Sequence, residues 1–322
     1  MSATTAQSEP HTMRCLEVWG GNQAVDNGVV MAGLDAWLYS RPYRDQAAGG
    51  DIHYVSSCAA GMLTRVLVAD VSGHGEAVAD AAHRLRGLMR RYVNIVDQTR
   101  FVEGLNTDFS ELAQAGGFAT AVAATYFGPT DQFTVCNAGH PRPLWYRSRT
   151  RTWTLMSAAP DKSALDSTDS PANIPLGIAG PTRYDQFAVK LATGDLVVLY
   201  TDSLIEAKGA DGQMLGEDGL LAKVRQLEVD DAGELARALL NAIERHGEAS
   251  ADDVTVLILR PNGLKPRMSL PVMLRAMKRM TFAFFASLRP GGPEFPAPES
   301  GLFALLGRLS QRIRRRRAGR VN

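Results

Sequence analysis

Cysteine is scarce in this chain, and the few present stand apart. Cys15, Cys58 and Cys136 are odd in number and fall at no CxxC or Cys/His spacing. Neither a disulfide framework nor a zinc site is indicated, and the reducing cytosol is the expected compartment. Long apolar runs are lacking as well. No window holds 18 or more uninterrupted apolar residues, which argues against a spanning helix. Met1 to Thr12 is polar and has no apolar core of the signal-peptide kind. Net charge is almost nil at +1, but only as a sum. Residues 262–322 carry 13 Lys and Arg against 2 Asp and Glu, while the preceding 261 residues carry 22 against 32. An acidic body and a basic tail cancel, and that asymmetry implies separate roles.

The rest of the composition is that of a globular chain, 45% hydrophobic and 21% charged, long enough for one large core or two modest ones. Strand signals dominate the middle. Val29 to Ala32, Ala36 to Tyr39, Ile52 to Ser56 and Leu63 to Asp70 are short and apolar or alternating, with Gly49-Gly50 and Gly61 as punctuation. Hairpin pairing of the last two brings Asp51 and Asp70 to the same end of adjacent antiparallel strands. After Gly75, the positions Ala77, Ala81, Leu85, Leu88, Met89, Tyr92 and Val96 recur at threes and fours, which predicts an amphipathic helix. A second helix is expected over Phe101 to Ala115, ended by Gly116-Gly117. Strands follow at Ala119 to Phe127, Gln132 to Cys136, Pro143 to Arg147 and Thr152 to Met156, and 157–172 reads as a loop. Phe187 to Leu191 and Leu196 to Tyr200 read as strands with Gly194-Asp195 as the turn between them. Helices over Glu217 to Leu227 and Ala232 to Arg245 precede a last strand, Val254 to Leu259. Helices set among antiparallel strands, without strict βαβ alternation, predict an α+β fold with sheets packed face to face.

Four aspartates share one context. Asp51 and Asp252 stand just before strands, and Asp70 and Asp202 just after them. A carboxylate at a strand end beside glycines suits a hard metal ion, and an oxygen-only set favours Mg²⁺ or Mn²⁺ over zinc. Ionised carboxylates crowded together raise one another's pKa unless cations neutralise them. Each aspartate taken singly is equally readable as a turn former or helix cap.

Read together, Gly49-Gly50-Asp51, Asp70-Val-Ser-Gly-His-Gly75, Asn137-Ala-Gly-His-Pro141, Gly194-Asp195, Tyr200-Thr-Asp202 with Glu206-Ala207, and Asp252-Asp253-Val-Thr-Val256 occur in one order along the chain. In that order they resemble the SpoIIE/RsbU-type bacterial branch of the metal-dependent PPM (protein phosphatase 2C-like) serine/threonine phosphatases. The resemblance covers about Val29 to Arg260. It implies an αββα sandwich of two packed antiparallel sheets flanked by helices, holding two Mn²⁺ or Mg²⁺ ions between them. By that resemblance Asp70 bridges both ions and the Val71 carbonyl serves one. Asp202 and Asp252 are further ligands, and Asp51 acts on the second metal directly or through water. A hydroxide between the ions attacks phosphorus in line. Asp253 orients its neighbour. The implied activity is hydrolysis of phosphoserine and phosphothreonine in bacterial signalling, on a phosphoprotein such as an anti-sigma-factor antagonist. The alternative is a catalytically weak or inactive member that serves as a partner-binding or membrane-tethered module.

Departures from the family pattern sharpen the expectations. Ser203 stands where a glycine is usual, and strain follows if that position needs a positive φ. Ile52-His53-Tyr54 replaces a run that carries a second acidic group. Ser72 occupies the place of a histidine that is a candidate general acid in eukaryotic relatives. His74 is expected to fix the glycine turn, and His140 to be a hairpin residue. Residues 1–28 are expected to be a leader, partly disordered, 29–262 the phosphatase domain and 263–322 a basic amphipathic tail. Since the leader leaves room for no sensory domain, control is expected from a partner, a homodimer or the tail, acting through the helix after Gly75. In the tail, Leu270 to Leu288 and Gly301 to Ile313 are amphipathic, and Arg314 to Arg317 follow. This pattern suits an anionic membrane surface at the inner face of the membrane, or docking on the acidic body. Nucleic acid is not favoured, because the tail has no recognition fold.

Overall fold

Nine consecutive residues, Leu63–Val71, pass through the molecule almost without touching solvent. Leu67, Ala69 and Val71 face a layer of helices, and Val66 and Val68 face a second sheet. A strand buried on both sides reads as a continuous apolar run rather than an alternation, and this one is the centre of the fold.

In this computed structural model the described residues run from 10 to 312. They exclude 59–60, 73–75, 96, 113–116, 158–172, 181, 210–211, 228–231, 246, 249–251, 266–269, 290–291, 294, 296–305 and 308. The predicted Gly73-His74-Gly75 turn and Arg314 to Arg317 therefore lie outside the described residues.

In chain order the first strands are β1 (His11–Thr12), β2 (Glu17–Gly21), β3 (Val25–Val30), β4 (Leu34–Arg41), β5 (Asp51–Cys58) and β6 (Leu63–Val71). Helices α1 (Glu76–Tyr92) and α2 (Gln98–Leu112) come next. Then follow β7 (Ala119–Phe127), β8 (Gln132–Ala138), β9 (Leu144–Arg147), β10 (Thr152–Leu155), β11 (Gln186–Lys190) and β12 (Leu196–Tyr200). The chain continues through α3 (Ser203–Glu206), β13 (Lys208–Gly209), α4 (Gly216–Val224), α5 (Ala232–Glu244), β14 (Gly247–Glu248), β15 (Val254–Pro261) and α6 (Leu270–Ser287).

One sheet has the order β1-β3-β4-β15-β12-β9-β10 and the other β11-β8-β7-β6-β5-β2, with β13-β14 as a separate small pair. All named pairings are antiparallel except β1 with β3. Helices α1 and α2 cover the six-stranded sheet through Val78, Leu85, Leu88, Met89, Phe101 and Leu105. Helices α4 and α5 cover the seven-stranded sheet through Leu220, Val224, Leu235 and Leu239. The result is the α+β, αββα sandwich that the sequence predicts.

One reading of local structure needs revision. Residues 11–28, expected as a leader, supply strands to both sheets: β2 pairs with β5, and β3 pairs with β4. Glycines at 20, 21 and 28 dilute the apolar pattern there and hide these strands from a periodicity reading. Strands β11 and β12 stand on either side of Gly194-Asp195, a turn as the sequence predicts. They belong to opposite sheets, and the Gly194-Asp195 turn carries the chain across. Asp195 is buried there and accepts from the Ala192 and Ser148 N–H groups at 2.9 and 2.8 Å. The crossing is thus fixed by a carboxylate rather than by strand pairing.

Candidate metal centre

The apolar core between the sheets changes chemistry at one end. On the six-stranded sheet, Val55, Val66 and Val68 point inward. The two-residue period of a strand puts His53, Asp51 and Asp70 on that same inner side. Asp51 and Asp70 are directly opposite one another in the β5–β6 pairing, as the hairpin reading requires. On the seven-stranded sheet, Leu257, Leu259, Val197 and Leu199 line the core. The same period continues it with Thr255, Asp253 and Thr201. Apolar layers thus give way to carboxylates and hydroxyls contributed by both sheets.

Hydroxyls bind this end together. Thr201 Oγ1 donates to Asp51 Oδ2 at 2.8 Å and accepts from the Thr255 N–H at 3.0 Å. Thr255 Oγ1 lies 3.0 Å from Ser40 Oγ. The Asp253 carboxylate holds the loop before β5: Oδ1 accepts from the Tyr43 N–H at 2.6 Å, and Oδ2 accepts from the Gly50 N–H. These contacts explain the paired glycines. A Cβ at Gly49 would stand 2.5 Å from the Asp253 carboxyl, and one at Gly50 would stand 3.0 Å from the Val71 carbonyl oxygen. The Val71 N–H in turn donates to Gly50 O at 3.2 Å. Only side-chain-free residues let the loop pass between Asp253 and Val71.

Asp202 stands at the start of α3 with helical backbone angles. Ser203 is the first residue of that helix and is not among the residues with positive φ. The strain anticipated for it is therefore absent; its side chain is buried beside the Thr201 hydroxyl, 3.4 Å away. Asp252 is exposed, and its Oδ1 accepts from the Asp253 N–H at 2.8 Å. Glu206, one helical turn beyond Asp202, adds an exposed carboxylate.

The electrostatics follow from this crowding. Burial, then the charge of Asp70, holds the Asp51 carboxyl well above the usual carboxylate range, while hydrogen bonds from Thr201 and Thr255 oppose the shift. Asp70 is pushed up to about 7 by burial first and then by Asp202, Asp252, Asp253 and Glu206. Asp202 is raised by burial, Glu206 and Asp252. The charges that act most on these three groups are all carboxylates. Such an array has the donor chemistry of a hard divalent cation. Among the described residues no three of His, Cys, Asp and Glu converge as a ready-made cage.

All four aspartates predicted from sequence are brought to this end, Asp51 the most enclosed and Asp252 the most open. Of the described histidines, His53 and His140 are not positioned as acids. His140 is buried, its Nδ1 lies 2.8 Å from Thr120 Oγ1, and Asn137 clasps its backbone through the His140 N–H and C=O at 2.7 Å. Burial holds His140 down to about 3 and His53 down to about 4, so both are neutral at physiological pH. Thr201, Thr255 and Glu206 stand inside the motifs quoted from the sequence, but sequence reasoning gave them no role. The signal for the two threonines was strand parity, since each stands at an inward position beside an aspartate.

Two antiparallel sheets packed face to face between helices are the fold of PP2C-type phosphatase domains. The PP2C phosphatase domain of SpoIIE from Bacillus subtilis matches with a TM-score of 0.57 at 16% identity, over 71% of this chain and 64% of that one. RsbX in complex with magnesium matches with a TM-score of 0.52 at 15% identity, over 73% and 99%. At such identities the likeness is one of fold. The chain belongs to the family of Stage II sporulation protein E (SpoIIE), which matches residues 61–262, more than half of its length. Phosphoserine phosphatase RsbU of Bacillus subtilis (strain 168) is 24% identical over 229 residues, 70% of this chain and 63% of RsbU. The chain thus spans less than two thirds of that relative's length.

Proposed function

We propose that this chain is a metal-dependent protein-serine/threonine phosphatase of bacterial signalling, acting on a phosphoserine or phosphothreonine of a protein substrate. The observation that carries the reading is the end of the sandwich where Asp51 and Asp70, paired across β5 and β6, meet Asp202, Asp252 and Asp253 from the other sheet. Membership of the SpoIIE family supports it, as do the phosphoserine phosphatase RsbU and the complex of RsbX with magnesium.

Asp70, Asp202, Asp252, Asp51 and the Val71 carbonyl are the groups assigned to hold two ions, Mn²⁺ or Mg²⁺. Bound there, divalent ions supply charge neutralisation for a phosphoryl group and a water of lowered pKa. The chain's own residues do the rest. Thr201 fixes Asp51, and Asp253 fixes the glycine loop that carries it, so the carboxylates are oriented before any ion arrives. Neutral, enclosed His53 and His140 leave proton transfer to water or to residues outside the described set. An anti-sigma-factor antagonist is the substrate class we favour, with a homodimer or partner acting through α1. The reducing interior of the cell is the compartment this implies.

The alternative, a fold serving as a partner-binding module without activity, draws on one observation: no described trio of ligands forms a closed cage. Hydrolysis of p-nitrophenyl phosphate by the purified chain separates the two. We expect Mn²⁺-dependent turnover that falls at least ~1,000-fold in Asp70→Asn, a loss of about 4 kcal/mol of transition-state stabilisation. Absence of turnover with every divalent metal overturns the enzyme reading.

A further inference from the structure

Helix α6 has two faces of opposite fate. Met280, Ala283, Phe284 and Leu288 pack with Leu16, Val93 and Phe295, so the helix is seated beside the C-terminal end of α1. Arg279 Nη1 reinforces the seat by donating to Cys15 O at 3.1 Å. Turned away from that cluster, Leu274, Phe282 and Phe285 are 62%, 70% and 61% exposed. Exposed Arg275 and Lys278 are interleaved with them. A helix packed on a protein ordinarily gives its outer face to polar residues, and large apolar side chains grouped there mark an interaction surface. Beside Phe282 and Phe285 opens a groove of about 940 Å³, also bordered by Arg90, Arg275 and Lys278.

We propose that this outward face of α6 docks the protein on an anionic lipid surface. Leu274 to Phe285 span about 16 Å of helix, a strip suited to a plane more than to a single pocket. The cations stand among the apolar side chains rather than around them. Such mixing lets aromatic rings enter the headgroup boundary while Lys and Arg reach acidic headgroups above it. A second copy on the same face would set Arg275 and Lys278 against their own duplicates, which charge disfavours. No described helix is long and apolar enough to cross a membrane, so the mode is lying on the surface. The inference is independent of the phosphatase reading.

The test is co-sedimentation of the full chain with vesicles of phosphatidylcholine alone or mixed with phosphatidylglycerol. We expect binding to the mixed vesicles only, weakened by salt. It should fall at least tenfold in Phe282→Ser/Phe285→Ser and in Arg275→Glu/Lys278→Glu, and persist in Phe282→Leu/Phe285→Leu. Circular dichroism of each variant confirms folding, and the leucine pair keeps the outcome interpretable should a serine variant misfold. The proposal is overturned by no binding to either vesicle, by equal binding to both, or by binding that ignores the phenylalanine substitutions. Phe282- and Phe285-dependent self-association, or DNA binding, without any affinity for vesicles overturns it too.

Discussion

Helix α1 connects two regions whose chemistry is opposite. Its N-terminal end follows Asp70-Val71-Ser72, where carboxylates gather and a cation is wanted. Its C-terminal end, about 25 Å away for a 17-residue helix, is held by a cation supplied from inside. Arg65, fully buried on β6, donates Nη1 to Tyr92 O at 2.6 Å and Nη2 to Ile95 O, donates Nε to Thr125 Oγ1 at 3.0 Å, and stacks over Phe101 at 4.2 Å. The helix dipole favours this polarity: negative groups at the start, positive at the end. The lesson lies in who provides the charge. At the C-terminal end the fold carries its own counterion, so that end is complete in the polypeptide alone. At the N-terminal end the described groups that act most on Asp51, Asp70 and Asp202 are carboxylates, and the divalent ions proposed above would complete it.

The largest break in this comparison comes from removing the internal cation. Arg65→Ala takes the guanidinium from the Ile95 carbonyl and the Thr125 hydroxyl, leaves the Tyr92 carbonyl only the Ile95 N–H, and opens a cavity beneath Phe101. The expected destabilisation is about 3–5 kcal/mol in urea unfolding, with α1 and α2 loosened together. An unchanged unfolding midpoint would show that water or another donor replaces the guanidinium.

The contrast also explains what was legible in the sequence. The acidic end could be read because its residues are punctuated: Asp51 after two glycines, Asp70 and Asp202 at the ends of apolar runs. The strands β6, β7 and β12 were equally plain, since a doubly buried strand is a bounded apolar run. Arg65 was invisible, because an arginine inside an apolar strand carries no mark of where its guanidinium goes. The N-terminal strands were lost for a related reason: β2 and β3 are held by pairing with β5 and β4 rather than by their own apolar pattern. Asp253 was credited with positioning, yet its partners Tyr43 and Gly50 lie some two hundred residues earlier. No local reading reaches that far.

The second effect sharpens the comparison at the acidic end. A carboxyl raised to about 7 in the fold, against 3.8 when unfolded, stabilises the folded state at low pH. That contribution is lost as pH rises toward and through 7. His53 and His140, held low by burial, work the other way: their contribution is present above about 6.5 and lost as pH falls. Comparing chelated with Mn²⁺-loaded protein cancels the histidines, which are the same in both. Protons and metal compete for Asp70, so the rise in Tm caused by Mn²⁺ should grow between pH 5.5 and 8. Its size is on the order of 2 kcal/mol, about 4–8 °C. A metal-induced rise that shrinks over that range would remove Asp70 from the ligand set.

The smallest effect concerns Ser203, the departure beside a proposed ligand. Since it begins α3 in helical conformation, a glycine there gains no freedom that the fold uses and loses helical propensity. Ser203→Gly also deletes a buried hydroxyl 3.4 Å from Thr201 Oγ1, the atom that fixes Asp51. Thermal unfolding should show a loss of about 0.5–1 kcal/mol, and the Mn²⁺ concentration for half-maximal turnover should not fall. Tighter metal activation in the glycine variant would mean that the serine does impose a cost on the site, and that the helical start of α3 is not the conformation in which Asp202 serves a metal.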